Sequence, residues 1–157
     1  MVYKPSGLRL PSLVAAVSGP DKRVTAIQRI YLQTNGAGKA GVQVPKMTRG
    51  PLGNGAVRLA PADDTLGLAE GIETAFSAME LHGVPTWAAL GTRFDAIAIP
   101  ETVNRLIIFG DNGGPGEAAV ERAIKKHQCF GLSVEARFPP GDIKDWNDVA
   151  QVEGARE

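Results

Sequence analysis

The sequence predicts an α/β domain whose parallel sheet of about four strands is flanked by helices, with a small β-rich appendage in front of it. Two observations predict the fold. After Pro61, short apolar runs alternate with helical periods, the pattern that βαβ units leave in a sequence. Before Pro61, β-formers are interleaved with glycine and turn residues, and no helical period develops. A third observation bears on chemistry. Residues 1–60 hold nine Lys or Arg against one acid, Asp21, a net +8, whereas residues 61–157 hold eight basic and sixteen acidic side chains, a net −8. A basic part attracts polyanions, and an acidic part suits a hard divalent cation.

The bounds on class are simple. A chain of 157 residues with 43% apolar content can bury one ordinary core. No apolar stretch approaches the roughly 18 residues of a membrane span, and Met1 to Pro20 lacks a secretory pattern, so the expected location is the cytoplasm with no membrane contact. Cys129, the only cysteine, has no partner for an intrachain disulfide and is expected to be a buried structural thiol.

The division expected is residues 1–60 as the basic β-rich segment and 61–157 as the α/β domain. Val24 to Leu32 reads as a strand, and Asn35-Gly36 within the following turn carries a hairpin signature, with Val42 to Val44 as the return strand. Lys46 to Gly55, with Pro51 and three glycines, reads as a loop, and Ala56 to Leu59 as a short strand. The first parallel strand is Leu66 to Ala69. Its helix carries Ile72, Ala75, Phe76 and Met79 at helical spacing and stops at Gly83. Val84 to Leu90 is the second strand, Phe94 to Ile99 a short helix, and Arg105 to Gly110 the third strand. Pro115 suits the first turn of the next helix, which buries Ala119, Val120, Ala123 and Ile124 and ends near Gly131. Leu132 to Phe138 is the fourth strand, and Asp145 to Val152 a closing helix.

Parallel strands joined by right-handed crossovers align their carboxyl ends along one edge, where open α/β sheets bind ligands. Glu70 follows the first strand, Asp111 the third, and Asp142, Asp145 and Asp148 lie beyond the fourth. Carboxylates gathered there repel one another, and a Mg²⁺ ion, which prefers oxygen ligands, removes that repulsion. Acids after strands also serve as helix caps, so each residue alone says little and the set carries the signal. Trp87 and Trp146 are expected in the core, and His82 and His127 near helix ends.

Three motifs, Leu68-Ala69-Glu70-Gly71-Ile72-Glu73-Thr74-Ala75, Leu106-Ile107-Ile108-Phe109-Gly110-Asp111-Asn112 and Lys144-Asp145-Trp146-Asn147-Asp148, resemble the Toprim domains of topoisomerases, bacterial-type primases and certain nucleases. The match is closest to primase-like proteins of phages, plasmids and integrated elements, and it extends upstream through Thr25 to Leu32, Gly50-Pro51-Leu52 and Gly55 to Leu59. The resemblance implies a Rossmann-like Toprim fold and Mg²⁺-dependent nucleotidyl transfer, with Mn²⁺ as a substitute ion. Glu70, Asp111 and Asp145 would be catalytic and, with Asp148, would hold metal. Arg29, Lys46, Arg49 and Arg58, in the matching upstream segments, are the expected phosphate contacts. Expected partners are nucleic acid, single-stranded DNA first, and nucleoside triphosphates. The chain carries neither zinc-ribbon cysteines nor a Walker motif, so helicase or zinc-binding modules of a larger primase are further expected partners. Gly113 stands where the family's Asp-x-Asp motif has its second acid. Two alternatives therefore stay open: a catalytically weakened module that binds nucleic acid or a replication partner, and a Toprim nuclease.

Overall fold

The computed structural model describes residues 1–154. A two-stranded hairpin, β1 (Val2–Tyr3) and β2 (Leu8–Arg9), opens the chain. A three-stranded antiparallel sheet follows, in the order β3 (Ser12–Ser18), β4 (Val24–Tyr31), β5 (Lys46–Arg49). After β6 (Val57–Arg58) come β7 (Thr65–Ala69), α1 (Ile72–His82), β8 (Thr86–Ala88), a single 3-10 turn at Phe94–Ala96, β9 (Arg105–Phe109), α2 (Gly114–Gln128), β10 (Ser133–Arg137) and α3 (Trp146–Gly154). The main sheet has five strands in the order β10-β9-β7-β8-β6. Its four long-range strands are parallel, as the sequence predicts, and β6 adds an antiparallel edge. The protein is thus a mixed α/β fold with small antiparallel sheets at its N-terminal side.

Strand alternation divides the interior into two layers. Leu66, Leu68, Leu106 and Ile108 face α2, where they meet Ala119, Val120 and Ala123. Ala69, Ile107 and Phe109 face the other way, onto Ile72, Ala75 and Ala78 of α1 and Trp146 and Val149 of α3. Val17, Ala26 and Ile30 of the antiparallel sheet join that second layer. Burying side chains such as Ile72 and Ile30 contributes roughly 1.5–3 kcal/mol each, so shared apolar burial, together with the Ser18–Ala56 bridge beside β6, holds the appendage to the main sheet.

Several local expectations need correction. The chain does reverse at residues 33–38, where the Gly36 N–H donates to the Gln33 carbonyl at 2.9 Å, but beyond it only an isolated Leu32–Lys39 bridge forms. The return strand is Lys46–Arg49, inside a stretch whose proline and glycines read as loop; the breakers act only from Gly50 onward, leaving four residues free to pair with β4. Ser12–Ser18 is an additional strand that was not foreseen, although Pro11 and the Gly19-Pro20-Asp21 turn bound it in the sequence. Phe76 is 51% exposed, because α1 approaches the sheet through the small residues Ala75 and Ala78 with Ile72. Phe94 to Ile99 forms one 3-10 turn in place of a helix. Cys129 is exposed, its thiol donating to the Lys125 carbonyl at 3.1 Å. Trp87, 2% exposed, and Trp146, 6% exposed, are core residues.

Candidate active site

The register of the parallel strands aligns their ends: Ala69 pairs with both Ala88 and Phe109, and Phe109 pairs with Arg137. Glu70 leaves the central strand β7 at this edge, and Asp111 leaves its neighbour β9 two residues after Phe109. The Glu70 carbonyl accepts the Gly91 N–H at 3.1 Å, tying the edge to the end of β8. Neither acid caps a helix: the residues preceding α1 and α2 are Gly71 and Gly113, and neither helix has a side-chain cap.

Asp111 carries the electrostatic signature of the site. Its Oδ1 is buried with no hydrogen-bond partner among the described residues. Its pKa is pushed up from 3.8 to about 6, first by burial, then by the negative charges of Glu70 and Asp145, against the opposing charges of Lys144 and Lys46. Asp111 therefore senses both Glu70 and Asp145. Asp145 has a second task, since its Oδ1 accepts the Asp148 N–H at 2.9 Å and caps α3. Asp142 and Asp148 are exposed, and neither perturbs Asp111.

The donor set suits a hard cation only as an open site. Among the described residues no three Asp, Glu, His or Cys side chains close around one point. An orphaned, destabilised carboxylate flanked by two more is nonetheless a place where positive charge lowers the energy, and Mg²⁺ ordinarily keeps several waters and takes few carboxylates. Gly113 supplies no ligand, and its backbone explains why: φ is +127°, a region that side chains disfavour, although no atom would obstruct a Cβ there. Restoring the missing aspartate costs backbone strain of about 1–3 kcal/mol, which offsets any metal affinity it adds.

Asn112 was not foreseen in its actual role. Its side-chain amide donates to the carbonyls of Ile143 at 2.7 Å and Pro139 at 3.1 Å, with a longer contact to Gly141 at 3.4 Å. Its backbone N–H donates to the Lys144 carbonyl at 2.8 Å. One residue thus fastens the loop that delivers Asp145. Asn112→Ala should destabilise the fold by about 1–3 kcal/mol, and Asn112→Asp, an acceptor facing acceptors, by more. Urea denaturation of the two variants checks the order.

The four expected phosphate contacts do not form one patch. Lys46 lies opposite Ile30 on the face of the antiparallel sheet that packs on α1, and its Nζ is 2.9 Å from Glu73 Oε2. Arg29, opposite Met47, and Arg49, opposite Ile27, belong to the other face. Arg58 is engaged internally: it donates to the Gly19 carbonyl at 2.6 Å and lies over the Trp87 ring at 4.4 Å, with burial lowering its pKa against the pull of Asp21. Lys39, absent from the expected set, joins Lys46 on Glu73 at 3.2 Å. No sequence spacing signals that meeting, because it depends on how β5 and the residue 33–38 turn are laid against α1.

A parallel sheet with acids gathered at its carboxyl edge, backed by helices on both faces, defines an open α/β fold whose ligand-binding edge is acidic. Residues 65–156 match the Toprim domain family, and the chain belongs to it. Residues 2–59 match a domain of unknown function (DUF7146). No curated protein matches the chain significantly. Among solved structures, the primase fragment of the bacteriophage T7 primase-helicase is similar with a TM-score of 0.63 at 16% identity, over 94% of this chain and 60% of that one. A DNA primase domain from Pseudomonas aeruginosa is similar with a TM-score of 0.63 at 15% identity, over 98% of this chain and 52% of that one. The DnaG primase catalytic domain bound to single-stranded DNA is similar with a TM-score of 0.66 at 16% identity, over 92% of this chain and 49% of that one. The chain spans about half to three-fifths of those proteins, and the likeness is one of fold. Among the described residues no helix is long and apolar enough to cross a membrane.

Proposed function

We propose that this chain is the Toprim module of a primase-like protein and carries out divalent-cation-dependent nucleotidyl transfer on nucleic acid. The observation that carries the reading is Asp111: a buried, unpartnered carboxylate at the sheet edge, raised to about 6 by burial, Glu70 and Asp145. Glu70, Asp111 and Asp145 would hold Mg²⁺, or Mn²⁺ in its place, with Asp148 the nearest reserve in sequence. Such an ion supplies charge stabilisation for the attacking and leaving oxygens of a phosphoryl group. The chain's own residues do the rest. Asn112 keeps Asp145 in reach by fixing its loop, and Lys46 offers positive charge to a polyphosphate beside the acids.

The family match and the fold shared with primase cores support this reading. One of those proteins is a primase bound to single-stranded DNA, which makes single-stranded DNA and nucleoside triphosphates the first substrates to offer. Helicase or zinc-binding modules of a larger primase would be partners. The positive φ of Gly113 favours a second reading, a binding module with a weakened site. Incubation with labelled single-stranded DNA, nucleoside triphosphates and Mg²⁺ or Mn²⁺ separates the cases. Short new strands support the proposal, cleaved DNA indicates a nuclease, and bound but unchanged DNA indicates the binding module.

A further inference from the structure

The Lys46–Glu73 pair joins the two oppositely charged parts of the chain at the rim of the carboxylate edge. Glu73 stands in the first turn of α1, three residues after Glu70. Its Oε2 takes the Lys46 Nζ at 2.9 Å and its Oε1 the Lys39 Nζ at 3.2 Å. Both lysines come from fixed backbone: Lys46 is paired with Ile30 in the antiparallel sheet, and Lys39 is bridged to Leu32. Lys46 Nζ lies 3.9 Å from where a Cβ on Gly71 would be, and its charge is felt at Asp111. Burial would raise the Glu73 pKa, but the Lys46 hydrogen bond, its own N–H and the two ammonium charges bring it below the usual range, so Glu73 stays ionised.

One carboxylate cannot neutralise two ammonium groups, so the trio keeps a net positive charge next to the acids. Without Glu73 the two long side chains would be free to extend into water, and a substrate would have to order them on arrival. With it, they are already gathered. A solvent-screened, half-exposed ion pair of this kind contributes modestly to stability, which directs attention to what it orients. We infer that Glu73 is a positioning residue for the proposed reaction: it holds Lys46 and Lys39 at the rim of the Glu70–Asp111 edge, where their ammonium groups meet the polyphosphate of an incoming nucleoside triphosphate. The inference rests on the nucleotidyl-transfer reading of that edge.

The test uses the full chain with Mg²⁺ and two readouts: KM and kcat for the nucleoside triphosphate in strand synthesis, and the Kd of inorganic tripolyphosphate by calorimetry. Glu73→Gln should raise KM and Kd about five- to tenfold while kcat changes by less than about twofold. Lys46→Gln should do the same, the double variant should be little worse than either, and Glu73→Asp should recover most of the loss. A thermal melt establishes that each variant is folded; should Glu73→Gln not fold, Lys46→Gln and Glu73→Asp carry the same comparison. Unchanged KM and Kd would overturn the inference, as would tighter binding, which would make Glu73 a competitor of the phosphate, or a fall in kcat alone. A wild-type protein that makes no strand but binds tripolyphosphate in a Glu73-dependent way removes the transfer reaction and keeps the positioning role. Normal synthesis unaffected by Glu73→Gln does the reverse.

Discussion

Asp111→Asn should be more stable than the wild-type protein at pH 8 without divalent cations, and it should lose both turnover and Mn²⁺ binding. The carboxyl pKa rises from 3.8 to about 6 on folding, so between those values the folded state holds the proton more tightly than the unfolded chain does. The stability that this proton supplies is complete below pH 3.8 and is lost as pH rises through about 6. At pH 8 the ionised Asp111 is therefore a cost. Solvent screening at a half-buried position reduces that cost to about 1 kcal/mol, and an uncharged amide removes it. The gap between the two proteins should close as pH falls through the same window, and Mn²⁺ should raise the melting temperature of the wild type alone. Equal stability at pH 8, or a variant that still gains stability from Mn²⁺, would mean that Asp111 is not the charge at the centre of the site. The expected loss of turnover is about 10³-fold or more, the scale of removing a group that stabilises charge in a transition state.

Gly116→Ala should lower stability by about 2 kcal/mol, although alanine is the better helix former by up to ~1 kcal/mol. Gly116 is buried in the first turn of α2, and a Cβ there would lie 2.6 Å from the Asp111 carbonyl oxygen, a backbone atom that cannot swing aside. Either α2 retreats or the Asp111 backbone moves, and both displace the carboxylate. Gly114→Ala, two residues earlier in the same helix, meets nothing within 4 Å and should be neutral or slightly stabilising. Denaturation curves for the pair, with Mn²⁺ titrations alongside, distinguish close packing at the site from a general intolerance of the turn. If both alanines behave alike, the tight approach of α2 to Asp111 has no energetic meaning.

The parallel sheet was legible because its cues are local. Leu66 to Ala69 and Arg105 to Gly110 are short apolar runs, and Gly83, at φ +65°, ends α1 where the pattern stops. The convergence of Glu70 and Asp111 followed from topology, since acids after parallel strands share an edge whichever strands are neighbours. Asp145 was legible as an acid of that edge, but its capping of α3 was one of two meanings the residue could have. The antiparallel sheet was harder. Lys46–Arg49 is polar and ends against breakers, so only its register with Ile27 to Ile30 makes it a strand. That same register decides which basic residues share a face, and a list of lysines and arginines contains no such information. The role of Asn112 went unread for a similar reason. Its partners Pro139 and Ile143 lie some thirty positions away, where nothing in the sequence announces that a loop is waiting for a donor.

The second core layer has a consequence for how the molecule is made. Val17, Ala26 and Ile30 share one apolar layer with Ile72, Ala75 and Ala78 of α1, and Trp146 and Val149 of α3 belong to the same layer. A ribosome delivers the chain in the opposite order of need: the antiparallel strands emerge first, with their apolar face unmatched, and the helices that seal it come last. Until then the nascent segment is a basic, partly apolar ribbon with open edges, the kind of surface that associates with whatever is near. Pairings between residues so far apart in sequence are slow to form, so the basic half of this protein reaches its finished shape only when the acidic half arrives.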